Sequence, residues 1–322
     1  MSINVEIPVP SKGTGPAEPP TGAGLARSRG PRRRPVLSYG SWWWALPSLT
    51  FVFLIHYLAT IFGGFYAFTD YSGIGGFNWI GVENFVRIFQ DPAMVGALRN
   101  TLVMAFVFLV VTNVLGILFA LALNRLLKTR YLLRVLIFAP VVLSSLAVSY
   151  IFKFIFQFNG PLNGFFGFLG LTDWQKTWLA DPTFAIVAIL VVLIWQNVGL
   201  TMVIYLAGLA SVPVELEEAA ALDGAGVWNR FRNVVLPSIQ PSVAIATTLT
   251  LISGLRVFDQ VMAMTGGGPF GATDTLATVI YRETFAFGRF GYGSALALTL
   301  SLFVVIAAVG QLYLTRDRNR KA

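Results

Sequence analysis

Glu218-Ala219-Ala220-Ala221-Leu222-Asp223-Gly224, followed after nine intervening residues by Val234-Val235-Leu236-Pro237, is a charged interruption between two strongly apolar segments. Pro213 suits the first turn of a helix, where a missing N–H is no loss. Glu215, Glu217 and Glu218 fall in the first turns, where carboxylates favour the positive end of the helix. Ala219 to Leu222 are strong helix formers, and Gly224 is well placed as a C-terminal stop. Helical patterning resumes from Val227 to Val235, and Pro237 is expected to end it. The loop 211–237 is therefore expected to be a short helix, a glycine bend and a second short helix.

The flanking segments say where such a loop sits. The chain has 322 residues, 56% hydrophobic and 12% charged, with mean hydropathy +0.70. Soluble domains carry about 25% charged residues, so this balance points to an all-α, polytopic membrane protein. A spanning helix needs about 20 mainly apolar residues. Six runs qualify: 43–68, 98–123, 132–156, 184–209, 241–264 and 292–314. Pro140, inside the third, is expected to kink it. Residues 1–40 are rich in Pro, Gly, Ser and Arg and read as a disordered cytoplasmic tail. Residues 41–316 form the six-span domain, and 317–322 a second cytoplasmic tail.

Lys and Arg excess marks the cytoplasmic side. With both termini inside, the inner segments take the six basic residues from Lys12 to Arg34, then Arg125, Lys128, Arg130 and Arg134, then Arg230 and Arg232, and finally Arg316, Arg318, Arg320 and Lys321. That is 16 of the 23 Lys and Arg residues. Topology thus accounts for the net charge of +8, with no need of nucleic acid. It makes the chain a multi-pass membrane protein with both termini cytoplasmic. Trp42, Trp43 and Trp44 read as an interfacial aromatic anchor.

The acidic loop then faces the cytoplasm. An amphipathic helix resting on lipid usually carries Lys and Arg on its polar face. This one carries three Glu and an Asp, which anionic lipid repels, so a protein partner is the better reading. Catalysis within the chain has little to draw on. There are no cysteines and one histidine, His56, in an apolar run suited to packing or an interface. A phosphate-cradling loop needs glycines followed by Lys and then Ser or Thr. No Gly-Lys-Ser or Gly-Lys-Thr occurs, and Lys12-Gly13-Thr14 has the wrong order. No catalytic residue is assigned.

Glu218-Ala219-Ala220, three residues, Gly224, nine residues, then Val234, one residue and Leu236-Pro237 resembles the coupling-loop motif of ABC importer permeases, with Val234 in place of the usual Ile. Further strings extend the resemblance beyond residue 40: Gly81, Asn84, Phe85, Asn100 and Thr101; Gly160-Pro161-Leu162-Asn163 with Trp178, Asp181 and Pro182; and Thr265-Gly266-Gly267-Gly268-Pro269 with Ile280, Tyr281 and Phe285. The set is similar to the carbohydrate-uptake permeases of the maltose and glycerol-3-phosphate type. The resemblance implies a type I importer fold, with a coupling helix between the fourth and fifth spans. It also implies a second homologous permease subunit in a heterodimer, two ATP-binding cassette ATPases that hold ATP and Mg, and an external solute-binding protein that delivers a sugar. No cofactor belongs to this chain. Glu218, Ala219, Ala220, Asp223, Gly224, Leu236 and Pro237 would couple to the ATPase.

A substrate path near the membrane midplane needs polar groups lining a cavity. In the fifth span, Thr250, Ser253, Gly254 and Val257 share one helical face. By the resemblance they match sugar-contacting positions, as do Asn197 and Leu200 of the fourth span, near Trp195 and Gln196. Helix–helix packing in membranes uses the same small and hydroxyl residues, and Trp195 also suits packing. Arg256 and Asp259, three residues apart, can pair as an outer gate. An ion-coupled secondary transporter, or a permease for glycerol phosphate or another non-sugar solute, is the alternative. Secondary transporters usually show internal repeats and buried carboxylates, and neither is evident here.

Overall fold

The computed structural model describes residues 44–125 and 128–316; both expected tails, with Trp42 and Trp43, lie outside the described residues. The chain divides into two compact units, 1–54 and 55–322. Residues 46–54 of the first are helical. Helices in chain order are α1 (Leu46–Tyr66), α2 (Glu83–Gln90), α3 (Pro92–Leu123), α4 (Arg130–Val142), α5 (Ser145–Ile155), α6 (Pro161–Phe168), α7 (Pro182–Leu209), α8 (Val214–Leu222), α9 (Val227–Ser238), α10 (Gln240–Leu255), α11 (Asp259–Met264), α12 (Leu276–Tyr281) and α13 (Phe290–Arg316). Among the described residues the only strand-like pairing is an isolated bridge between Thr69 and Trp79. His56 lies on the exposed surface of α1, its ring edge-on to Tyr57.

Helices α1, α3, α7 and α13 are each long and apolar enough to cross a membrane. The pairs α4–α5 and α9–α10 reach that length only as bent units, so the chain has four such spans, or six if each bent pair is one. Two spans begin earlier than hydropathy suggests, because capping chemistry sets their start. The Asp91 carboxylate accepts the Ala93 N–H at 2.9 Å and Pro92 opens α3. Asp181 likewise accepts the N–H groups of Thr183 and Phe184, with Pro182 opening α7. A side-chain oxygen at this position satisfies N–H groups that have no helical partner.

The third run is not one kinked helix but two, bent by 99°. The break falls at Leu143 and Ser144, both extended, rather than at Pro140. Pro140 lies in the last turn of α4, where its carbonyl accepts the Leu143 N–H. The fifth run also departs from a single rod. A 75° bend separates α9 from α10. Pro237 does not end α9, which continues through Ser238 before the bend at Ile239. At its C-terminal end α10 stops at Leu255, and α11 restarts at Asp259.

Three buried clusters hold the bundle together. One, from α3, α7, α9 and α10, joins Ala120, Leu123, Met202, Tyr205, Leu209, Val235, Ile239 and Ala246. A second joins Met104, Phe108, Val148, Ile189, Val192, Val257 and Val261. A third packs α13, through Tyr292, Ala295 and Leu296, against Ala67, Ile88, Ala97 and Val279. In bilayer such contacts gain from close packing rather than from leaving water.

The loops between spans are braced by the asparagines of the sequence motifs. Asn84 donates to the carbonyls of Ala67 and Thr69. Asn100 donates to those of Ala272 and Asp274. Asn163 donates to those of Phe158 and Lys176 and accepts the Trp178 indole N–H at 2.8 Å. Irregular backbone cannot satisfy its own carbonyls, and a carboxamide offers two donors and an acceptor. An ion pair completes the 265–282 loop: Arg282 contacts Asp274 at 2.7 Å, and this partner raises the guanidinium further above its usual range.

Candidate transport and coupling sites

The stretch 213–238 forms a projection with a buried root and an open tip. Pro213 caps α8 in extended conformation rather than opening it, so the helix starts at Val214. Every residue of α8 escapes burial. Gly224 adopts φ +78, where a Cβ costs about 1–2 kcal/mol. Its N–H reaches Ala221 O at 3.1 Å, and the Ala225 N–H reaches Ala220 O at 3.0 Å. This paired closure is a Schellman motif, and it turns the chain toward α9. No neighbour lies within 4 Å of a Cβ built on Gly224, so backbone conformation alone demands glycine.

Glu218, Ala219 and Asp223 are exposed, Ala220 is half-buried, and Leu222 and Trp228 stand 89% and 68% exposed. Val212, Val235 and Ile239 are buried in the cluster shared with α3, α7 and α10, with Leu236 half-buried and Pro237 exposed beside them. Apolar surface and carboxylates displayed together suit a protein partner, while the root fixes the tip to three spans.

Several of the expected path residues do converge. A cavity of about 250 Å³ is lined by Asn197, Ser253, Arg256, Val257, Asp259 and Gln260, together with Ser145 and apolar neighbours. Ser253, Arg256 and Asp259 are exposed to it or to the surroundings. Asn197 bonds back to the Leu193 carbonyl at 2.8 Å. Arg256 and Asp259 make no ion pair within 4.0 Å; among the described residues such pairs are Arg282–Asp274 and Arg289–Glu283. They flank the break between α10 and α11, so the helical spacing that would let them pair does not apply.

Other path residues turn away. Thr250 is buried, accepts the Asn113 amide at 2.8 Å and donates to Ala246 O at 2.9 Å. Tyr205 donates to the same Asn113 at 2.7 Å, which completes a clasp across α3, α7 and α10. Gly254 lets α10 approach α3: a Cβ there would lie 2.9 Å from Ala105 Cα. Trp195 is 40% exposed and packs on Phe152 at 5.1 Å, while Leu200 is half-buried; neither lines the cavity. Val257 borders the cavity, but it lies beyond the end of α10 and is buried, and its carbonyl accepts the Thr275 hydroxyl.

The sequence places Gln196 beside Asn197 without giving it a role and does not single out Gln260, yet these two amides hold the cavity wall. Gln260 donates to Gln196 at 3.2 Å, and Gln196 donates to the Leu143 carbonyl at 3.0 Å. That carbonyl belongs to the break between α4 and α5. A polar residue amid an apolar run was the available signal for Gln196, as for Asn113.

A multi-pass helical bundle with a rooted acidic projection and a polar cavity between its spans is the membrane part of a transport machine. Residues 112–320 match the family model described as binding-protein-dependent transport system inner membrane component, and the chain belongs to that family. The chain is 35% identical over 285 residues to the multiple sugar-binding transport system permease protein MsmF of Streptococcus mutans, covering 88% of this chain and 98% of that one. Similarity to the trehalose/maltose transport system permease protein MalF of Thermococcus litoralis is 30% over 279 residues, 86% and 92% of the two chains. The fold is also that of a chain in a bacterial ABC transporter involved in the import of the acidic polysaccharide alginate, with TM-score 0.76 and 23% identity over 86% of this chain and 94% of that one. Family membership sets aside the ion-coupled alternative.

Proposed function

We propose that the chain is one of two permease subunits of an ATP-driven importer, and that it translocates a sugar or oligosaccharide handed over by an external solute-binding protein. The observation that carries the reading is the projection 213–238: exposed and acidic at its tip, buried at its root among α3, α7 and α10. ATP and Mg belong to separate ATPase subunits seated against Glu218, Asp223 and the exposed Leu222. Closure of those subunits is passed through Gly224, Val235 and Ile239 to the spans that wall the cavity. Both termini are cytoplasmic, in keeping with the basic residues on that side.

Sugar is favoured over other solutes by the relatives and by the cavity. Asn197, Ser253, Gln260, Arg256 and Asp259 offer both donors and acceptors, which suits a polyhydroxylated ligand.

The test is Glu218→Ala and Gly224→Val in the assembled transporter. ATP hydrolysis is expected to persist while sugar uptake is lost. Normal uptake at normal membrane levels of both variants overturns the coupling role.

A further inference from the structure

A second cavity, of about 670 Å³, lies between the end of α3 and the projection. Its walls include Val114, Ile117, Leu118 and Leu121 of α3, with Leu209, Val227, Trp228, Phe231 and Val235; its rim carries Arg125, Arg230 and Glu217. It shares no lining residue with the polar cavity of Asn197 and Ser253.

Three facts about the rim stand out. Neither guanidinium has a hydrogen-bond or ion-pair partner among the described residues, and neither does the Glu217 carboxylate. The Arg230 Nε atom is enclosed and unbonded. An enclosed, unsatisfied charged donor is costly. Two unpaired cations and one unpaired anion around one space call for a ligand bearing both signs.

The walls say what else that ligand has. Val114, Ile117, Leu118 and Leu121 follow the i, i+3, i+4, i+7 rule, so they form one stripe of α3. The stripe runs about 10 Å along the helix axis, within a segment long and apolar enough to span the membrane. Val114 and Leu118 are 50% and 54% exposed. A docked protein loop would cover the rim but leave this stripe bare.

The structure assigns this cavity to a phospholipid whose headgroup carries a phosphate and a primary ammonium. The phosphate meets Arg125 and Arg230, the ammonium meets Glu217 and the face of Trp228, and an acyl chain lies along the α3 stripe. Basic groups beside spans commonly hold lipid phosphates, and the carboxylate is what selects the amine. Because the site includes Trp228 and the root residue Val235, a bound lipid would brace the projection.

The test is native mass spectrometry of the delipidated transporter, purified through the full chain. It is offered equal amounts of phosphatidylethanolamine, phosphatidylglycerol and phosphatidylcholine with identical acyl chains. Phosphatidylethanolamine is expected to be retained over phosphatidylcholine, whose ammonium has no N–H, by about tenfold. Glu217→Gln should erase the preference over phosphatidylcholine, and Arg125→Ala with Arg230→Ala should lower retention of both. A photocrosslinker at Leu118 in otherwise unaltered protein should label lipid. Equal retention of the three lipids, unchanged retention in the variants, or a crosslink to a protein subunit overturns the assignment. None of these readouts depends on transport, so the proposed import function stands or falls separately.

Discussion

The phenolic hydroxyl of Tyr205 donates to the side-chain oxygen of Asn113 at 2.7 Å, joining α7 to α3 where both are buried. The same asparagine donates to Thr250 of α10. One carboxamide thus ties together three helices, two of which flank the projection. Interhelical hydrogen bonds in membranes are worth about 0.6 kcal/mol on average and up to about 1.7. Asn113→Ala, which removes two, is expected to cost about 1–2 kcal/mol, read as a lower thermal midpoint in detergent.

Thr250→Val separates packing from substrate contact. The methyl keeps the volume and removes one interhelical bond, so stability should fall by about 0.6 kcal/mol while the KM for sugar uptake stays within about twofold. A large rise in KM with unchanged stability would return Thr250 to the substrate path.

Ser253→Ala and Asn197→Ala act on the cavity itself. A neutral hydrogen bond is worth about 0.5–1.5 kcal/mol, so each variant should raise KM by about two- to tenfold in vesicle uptake at unchanged protein level. Wild-type KM in both would place the sugar elsewhere.

Gly254→Leu forces a side chain against the Ala105 backbone. Overpacking costs about 1–3 kcal/mol, and the expected outcome is reduced membrane yield and earlier unfolding. Gly224→Asn and Gly224→Val form a matched pair on the projection. Asn tolerates left-handed backbone and Val does not, so coupling of ATP hydrolysis to uptake should survive in the first and fail in the second.

Asp70 gives a pH test. It accepts the backbone and side-chain N–H groups of Asn78, and these hold its carboxyl below the ordinary value of 3.8. A carboxylate with a lowered value stabilises the fold fully above the unfolded value and loses that contribution as pH falls through the folded one. The protection of the Asn78 amide, its exchange rate divided into the intrinsic rate at the same pH, should fall as pH drops below about 4, and Asp70→Asn should remove that dependence.

Much of this was readable beforehand, for identifiable reasons. The projection was legible because glycine at a left-handed position and carboxylates in a first turn are local signals that tertiary packing did not override. Spans appeared as long apolar runs. Their breaks did not, because Leu143 and Ser144 are as apolar or small as their neighbours, and the Gln196 amide that satisfies the broken carbonyl lies 53 residues away. The face shared by Thr250, Ser253, Gly254 and Val257 assumed an unbroken helix; α10 ends before the last of them. Which member of a small-residue face meets substrate and which meets another helix depends on what lies opposite, and one chain's periodicity carries no such information.

No side chain of α8 is buried, and this bears on how such machines diversify. Substitutions at exposed positions usually shift stability by less than about 0.5 kcal/mol. Under the coupling role proposed above, the exposed surface of α8 can therefore be rewritten to fit a different ATPase without repacking the spans, like a plug whose pins are changed while its wiring stays in the wall.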